Sequence, residues 1–271
     1  MCIRDRVSAW AGGEEWKLER FRDGADVYME AASVALGRPV TDKADPGRQV
    51  GKTAELAFGY QGGVGAWRRF DKSDNHTDDE VNGYKLAWRD KHGGITALWD
   101  TCNDTTIRVV ASGITQWQEA GPFAYRMQGS FLECRLPTGR SIWYYSPKVE
   151  ESEMPWSTPD NVVMRPGVCY WATKTTPGHG SHWMKVRGYG GMFFQNGIQA
   201  ISCEAMVYAM WGCRRENIPV VLTVHDELLT EVKEGDEDLD RLSELVTQPV
   251  PGLDGLPIAA AGWVGKRYRK D

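Results

Sequence analysis

The chain has 271 residues, of which 41% are hydrophobic and 25% charged, with a formal net charge of −5. This length can form one large domain or two small ones. The acidic balance argues against a protein that coats nucleic acid by bulk charge, although it permits a locally basic groove. No stretch approaches the roughly 20 apolar residues that cross a bilayer. The six cysteines form no CxxC pair, which predicts free thiols in a reducing cytoplasm.

The N-terminal region predicts two helices between Glu14 and Leu36. Asp26 is suited to cap the second helix, and Gly37 is suited to end it. Residues 1–6 contain no cap, period or turn signal that leads into Val7, so we expect the natural sequence to continue upstream of this start.

Four residues at intervals of four follow, namely Arg48, Lys52, Leu56 and Tyr60. On a helix they form one slowly turning stripe about 18 Å long. Cations at one end can neutralise the phosphates of a nucleotide, and an aromatic ring at the other end can stack on its base. The alternative is an ordinary surface helix with a basic edge, which leaves Tyr60 and the glycines after it unexplained.

The middle of the chain, residues 66–130, predicts helices at Gly83–Lys91 and Ile95–Val110, with an acidic loop over Asp71–Glu80. A hairpin over Phe131–Tyr145 follows, with its turn at Leu136–Arg140. Residues 150–180 are rich in Pro, Ser, Thr and Gly, which predicts a loop with a short ribbon. From Asn196 to Arg215 the apolar residues keep helical spacing.

Residues 219–232 contain two short apolar runs separated by His225, Asp226 and Glu227, which predicts a β-hairpin. Alternate valine and leucine side chains share one face of its first strand, so we expect the hairpin to be anchored in a core. Two adjacent carboxylates at such a tip resist desolvation unless a cation such as Mg²⁺ compensates them. The alternative is a solvated acidic turn. After it, residues 234–245 predict a charged turn and a helix, and residues 255–270 predict a last strand with a basic end.

Three of these segments resemble family A DNA polymerases, the class of bacterial DNA polymerase I. The sequence Val-His-Asp-Glu at 224–227 resembles motif C, the palm hairpin. Residues 48–65 resemble motif B, the fingers helix, in its phage-like form Gly-Lys-x-x-Glu-Leu-x-x-Gly-Tyr-x-Gly-Gly. The turn at 136–140 is similar to the Leu-Pro-Ser-Gly-Arg hairpin of the family.

The resemblance implies an α+β fold, a fragment of the polymerase right hand with mostly helical fingers and a palm that contains an antiparallel β-hairpin. It implies that residues 1–271 form a partial polymerase domain. The implied divisions are the start of the palm and fingers helices (7–40), the fingers (41–145), a loop or ribbon (146–185) and the palm (186–271).

The implied reaction is DNA-templated transfer of a dNTP to a primer 3′-hydroxyl with two Mg²⁺ ions, the general scheme of polymerases. By the resemblance, Asp226 would bind metal, Glu227 would assist it and His225 would position the primer terminus. The residues implied to bind the incoming nucleotide are Arg48 and Lys52, at its phosphates, and Tyr60, at the base pair. Those implied to contact primer–template DNA are Asn196, Gln199 and Arg140, where amides near a helix start can reach the minor groove or phosphates.

One family motif is not matched. Motif A reads Asp-Tyr/Phe-Ser-x-x-Glu-x-Arg, and in the alignment on Val7 only Arg6 matches it. The metal-binding aspartate would precede residue 1, and Asp5 is out of register to replace it. We therefore expect one carboxylate partner of the metal site to be missing and the chain alone to be inactive or weakly active.

The first alternative is a non-catalytic nucleotide- or DNA-binding remnant of a polymerase. A second is a metal-dependent nuclease. In the polymerase hypothesis the chain is a monomer without a membrane partner, and Lys52 faces Asp226 across one cleft.

Overall fold

The computed structural model describes residues 3–73, 75–154, 157–176 and 180–268. Its helices are α1 (Ile3–Ala11), α2 (Glu15–Arg22), α3 (Val27–Leu36), α4 (Gly47–Phe58), α5 (Val64–Phe70), α6 (Asp78–Lys91), α7 (Gly93–Ser112), α8 (Gly190–Arg215) and α9 (Leu239–Thr247). Its strands are β1 (Gln118–Ala120), β2 (Phe123–Gln128), β3 (Phe131–Arg135), β4 (Ser141–Glu153), β5 (Met164–Thr176), β6 (Gly180–Arg187), β7 (Val220–Val224) and β8 (Glu227–Thr230). The mixed helix and strand content confirms the predicted α+β class.

The predicted signals of α3 are confirmed. Asp26 accepts a hydrogen bond from the backbone N–H of Tyr28, and Gly37 ends the helix in the left-handed conformation, with φ at 62°. α3 packs along α4, and Gly51 permits this contact, because a Cβ there would lie 1.9 Å from the carbonyl oxygen of Tyr28.

Strands β1 to β6 form one antiparallel sheet in which each strand pairs with the next along the chain. The helical prediction for residues 66–130 is wrong for β1 and β2. Gly113 ends α7 in the left-handed conformation, with φ at 61°, and Gly121 forms the turn between the two strands, with φ at 60°.

The prediction of a loop with a short ribbon over residues 150–180 is also wrong for residues 150–153 and 164–176, which lie in β4 and β5, each 13 residues long. Pro166 and Gly167 lie inside β5, and both residue types favour loops. Pro166 is tolerated because the pairing of β5 with β6 begins only at Cys169, so at Pro166 the strand has a neighbour on one side.

The inner face of the sheet packs against α7, and its aromatic side chains contact α8. The ring of Tyr144 lies 5.1 Å from that of Phe193 on α8 and 4.9 Å from that of Tyr170. α8 begins six residues before the predicted start at Asn196. None of the described helices is long and apolar enough to cross a membrane.

The hairpin of β7 and β8 forms a separate two-stranded sheet. Its strands confirm the predicted hairpin, but the prediction that a core anchors it is wrong. Val221 and Leu222 are 56% and 48% exposed, because among the described elements chiefly α8 contacts β7.

The predicted charged turn and helix after the hairpin are confirmed by α9. The predicted last strand is wrong over the described residues 255–268, which form no strand. The neighbouring segment instead lies against α1, where Arg6 donates a hydrogen bond to the carbonyl of Pro257 (3.1 Å) and Trp10 to that of Asp254 (2.9 Å).

Candidate functional site

The predicted stripe lies on α4, which carries Arg48, Lys52 and Leu56, with Tyr60 in the turn that follows. The two cations differ in their surroundings. Arg48 Nε donates a hydrogen bond of 2.8 Å to Asp26, and its guanidinium lies 5.4 Å from the ring centre of Tyr28. Lys52 is exposed, and no ion pair links it to a carboxylate in the part of the chain that the structure describes.

The C-terminal end of α4 is attached to the first turn of α8. The ring centres of Tyr60 and Phe194 are 6.0 Å apart, and the side-chain oxygen of Gln61 accepts a hydrogen bond of 2.9 Å from the backbone N–H of Gly191. A Cβ at Gly191 would lie 2.5 Å from the carbonyl oxygen of Tyr60, so this close approach requires a glycine.

A cavity of about 150 Å³ lies between α1, α4 and α8, and Asp5, Leu56, Tyr60 and Gln195 are among the residues that line it. Burial raises the pKa of Asp5 to about 6, with a further contribution from the nearby carboxylate of Glu55. The hydroxyl of Tyr28 donates a hydrogen bond of 3.1 Å to Asp5. Asp5 is out of register with the motif A aspartate, and no local sequence pattern predicts that it lies beside the stripe.

A buried polar cluster around Glu55, which also lines this cavity, supports α4. Lys17 on α2 donates a hydrogen bond of 2.6 Å to Glu55 on α4, and its ammonium lies 3.1 Å from Nε2 of His92. Trp88 donates a further hydrogen bond of 3.2 Å to Glu55. Burial alone would raise the pKa of Glu55, but Lys17 and His92 hold it well below its ordinary value. No local sequence pattern indicates this cluster, because Glu55 and His92 are 38 and 75 residues from Lys17.

The acidic tip of the hairpin is a two-residue turn, His225–Asp226, closed by the pairing of Val224 with Glu227. His225 has φ at 56°, a conformation that is uncommon for residues other than glycine. Asp226 and Glu227 are exposed, and the hydroxyl of Tyr268 donates a hydrogen bond of 2.6 Å to Glu227. Tyr268 is a contact that sequence reasoning missed.

The hairpin carboxylates do not make a complete metal site by themselves. Among the described residues, no three His, Cys, Asp or Glu side chains are grouped so that they could hold a metal ion. An octahedral Mg²⁺ ion needs oxygen ligands from more than one place, so Asp226 fits only as one ligand of a larger set.

The predicted DNA-binding residues lie around α8. The side-chain amide of Asn196 donates a hydrogen bond of 3.1 Å to the hydroxyl of Tyr144, and Gln199 is exposed. Arg140, in the turn between β3 and β4, donates a hydrogen bond of 3.4 Å to the carbonyl of Ala200 and forms an ion pair with Glu204. The structure therefore brings Arg140 next to the helix that carries both amides, while their contacts with DNA remain predictions.

No protein-family model matches the chain. A curated relative does: the chain is 30% identical over 274 residues to the DNA polymerase of Bacillus phage SP02, a match that includes 100% of this chain and 40% of the relative. The chain is a homologue of a phage DNA polymerase.

A solved structure shares the fold. The polymerase domain of Pol1 from M. smegmatis, in complex with a DNA primer–template and a dNTP, matches 95% of this chain and 36% of its own length, with a TM-score of 0.53 and 18% sequence identity. The chain is thus similar in sequence to a phage DNA polymerase and in fold to a polymerase domain, and it spans less than half the length of either protein.

Proposed function

We propose that the chain carries the nucleotide-binding helix and the acidic hairpin of a DNA-templated DNA polymerase, which adds a dNTP to a primer 3′-hydroxyl. The observation that carries the proposal is that α8 connects the two elements. The start of α8 contacts Tyr60 at the end of α4, and the first strand of the hairpin begins at Val220, shortly after α8 ends at Arg215. The relationship to the phage polymerase supports the same assignment.

In this proposal α4 binds the incoming nucleotide. Lys52, exposed and without a carboxylate partner among the described residues, places its ammonium against the triphosphate. Arg48 joins it through the N–H groups that Asp26 does not occupy, since a guanidinium has five donors. Tyr60 lies at the base-pair end, where its ring stacks on the base.

The hairpin serves the reacting end of the primer. Asp226 is exposed at the tip and would serve as one ligand of a divalent ion, which DNA polymerases require in general, and we propose that this ion is Mg²⁺. When bound, the metal supplies charge neutralisation at the phosphate and activation of the primer hydroxyl. Glu227 is held by Tyr268 and assists Asp226, and the fixed left-handed turn at His225 positions the primer terminus.

The template and primer lie against the N-terminal half of α8, which carries Asn196 and Gln199. Gln199 is exposed and reaches the minor groove, and Asn196 joins it once it exchanges its hydrogen bond with Tyr144 for one to DNA. Arg140 contacts a phosphate from the adjacent turn. We also propose the division of the chain into fingers (41–145) and palm (186–271), and a monomeric state.

A second candidate is a nucleotide- or DNA-binding polymerase remnant without catalysis. The observation that favours it is the missing group of three metal ligands among the described residues. A single aspartate at an exposed tip binds Mg²⁺ weakly.

A primer-extension assay with a labelled primer–template, dNTPs and Mg²⁺ separates the two candidates. The chain should extend the primer weakly, because one carboxylate ligand of the metal is expected to be missing, and Asp226→Asn and Lys52→Ala should each reduce this rate by at least about 100-fold. Lys43→Ala, which removes another exposed lysine, is the matched control and should not change it. Binding of DNA and dNTP with no extension by any variant would favour the remnant, and extension that survives Asp226→Asn would refute the role of that residue.

A further inference from the structure

The outer face of the six-stranded sheet exposes a continuous row of aromatic rings. This surface, called the aromatic row below, consists of Phe131, Trp143, Tyr145, Trp171 and Trp183. Each is between 36% and 57% exposed, although an ordinary sheet face in contact with water is polar.

The rings follow one another across four strands. Phe131 on β3 lies 5.8 Å from Trp143 and 5.3 Å from Tyr145 on β4, measured between ring centres. Tyr145 lies 6.0 Å from Trp183 on β6, which lies 6.4 Å from Trp171 on β5 at an angle of 15°. The row is therefore one surface, and its rings point away from the core formed on the opposite face.

On the β4–β6 side of the row, three cations, Lys148, Lys185 and Arg187, are grouped around one carboxylate, Glu150. Lys148 and Lys185 both act on one carboxylate, Glu150, whose pKa Lys185 lowers by a hydrogen bond of 2.8 Å and Lys148 lowers by its charge. Arg187, on the same edge of the sheet, lies over Gly167. This local excess of positive charge stands on a chain with a net charge of −5.

Another ring extends the surface at the far edge. The ring centre of Trp117 lies 4.1 Å from the guanidinium group of Arg126 and 4.4 Å from that of Arg135. Both arginines also pair with glutamates, Arg126 with Glu133 at 2.7 Å and Arg135 with Glu119 at 3.6 Å. The outer face therefore carries cations at both ends of the row of rings.

We propose that the aromatic row binds single-stranded DNA, with unpaired bases stacked on its rings and the phosphate backbone along the flanking lysines. Exposed rings with interspersed cations are the arrangement by which proteins hold unpaired strands without reading their sequence. The net positive edge favours a polyanion over the apolar face of a second copy. The inference rests on the proposed function only in naming DNA as the polymer.

The test is the equilibrium binding of a fluorescently labelled 20-nucleotide single strand, measured by anisotropy without dNTPs. Trp183→Leu and Trp143→Leu retain apolar volume and remove a ring, and each should weaken binding about tenfold. Trp183→Phe retains a ring and should bind within about threefold of wild type. Trp211→Leu is the matched control, since Trp211 on α8 is 57% exposed, as Trp183 is, and it should bind as wild type does.

A second measurement separates this inference from the proposed function. Extension of a primer–template with a one-nucleotide overhang, which offers almost no unpaired strand, should be unchanged in Trp183→Leu, whereas Asp226→Asn should lose extension and still bind the single strand. Unchanged single-strand binding in both leucine variants would overturn the inference. So would a concentration-dependent dimer that Trp143→Leu abolishes without any effect on DNA binding, because the row would then contact a second copy.

Discussion

Lys17 and Glu55 form an ion pair of 2.6 Å between α2 and α4, with 2% and 5% of their side-chain surfaces exposed. Removal of one partner of such a pair leaves a buried charge without compensation, which costs about 3–5 kcal/mol. Lys17→Met should therefore lower the free energy of unfolding in urea by about that amount. Arg22→Met, which breaks the exposed pair with Glu15, should lower it by less than about 1 kcal/mol. An equal decrease in the free energy of unfolding in the two variants would show that the buried pair stabilises the fold no more than the exposed pair does.

Asp5 should make stability depend on pH. Burial raises its pKa from 3.8 to about 6, so between these values the folded chain binds more protons than the unfolded chain. The free energy of unfolding should therefore fall as the pH rises from about 4 to about 6, by no more than about 3 kcal/mol.

Asp5→Asn should remove this decrease from urea titrations made at pH 4, 5, 6 and 7. Asp23→Asn, at an exposed carboxylate in the turn after α2, is the control and should retain it. An unchanged pH profile in Asp5→Asn would contradict the assignment.

The left-handed backbone at His225 should limit which residues the hairpin tip accepts. His225→Val should lower the free energy of unfolding by about 1–2 kcal/mol, because a β-branched side chain clashes with the backbone at positive φ. His225→Gly should fold at least as well as the wild type, since glycine adopts this conformation freely. Thr223→Val places the same side chain at an exposed strand position of the hairpin and should be nearly neutral in thermal unfolding. An unchanged free energy of unfolding in His225→Val would contradict a positive φ at this position.

Asp26 should compete with phosphate for Arg48. Asparagine also caps helices, so Asp26→Asn should keep α3 intact while it weakens the hold on Arg48. We expect dNTP to bind up to about fivefold more tightly to this variant, the range that loss of a partly exposed ion pair allows. Titration calorimetry with dNTP measures the effect.

The control combines Asp26→Asn with Arg48→Ala, and in that background the gain should vanish. Weaker dNTP binding in Asp26→Asn would show instead that the carboxylate holds Arg48 in its binding position.

Much of the local structure could be predicted from sequence because its signals are local. The caps of α3 at Asp26 and Gly37, the helical stripe of α4 and the turn of the β7–β8 hairpin each depend on residues within one or two turns of one another. Residue types that permit only some backbone conformations determine such elements.

The features that could not be predicted depend on distant partners. Nothing near Val221 or Leu222 shows that their hairpin lacks a covering layer. Pro166 indicates a loop unless one knows that β6 does not reach that part of β5. Likewise, Glu55 has the pattern of a surface residue until Lys17 and His92 are found beside it.

The buried cluster around Glu55 also restricts how the protein can move. Lys17 comes from α2, Trp88 from α6 and His92 from the junction of α6 and α7, and all three converge on α4. Rotation of α4 alone would strip a charged group of its partners in an apolar interior. Any rearrangement that carries Lys52 toward a nucleotide must therefore displace these helices together, as one rigid body.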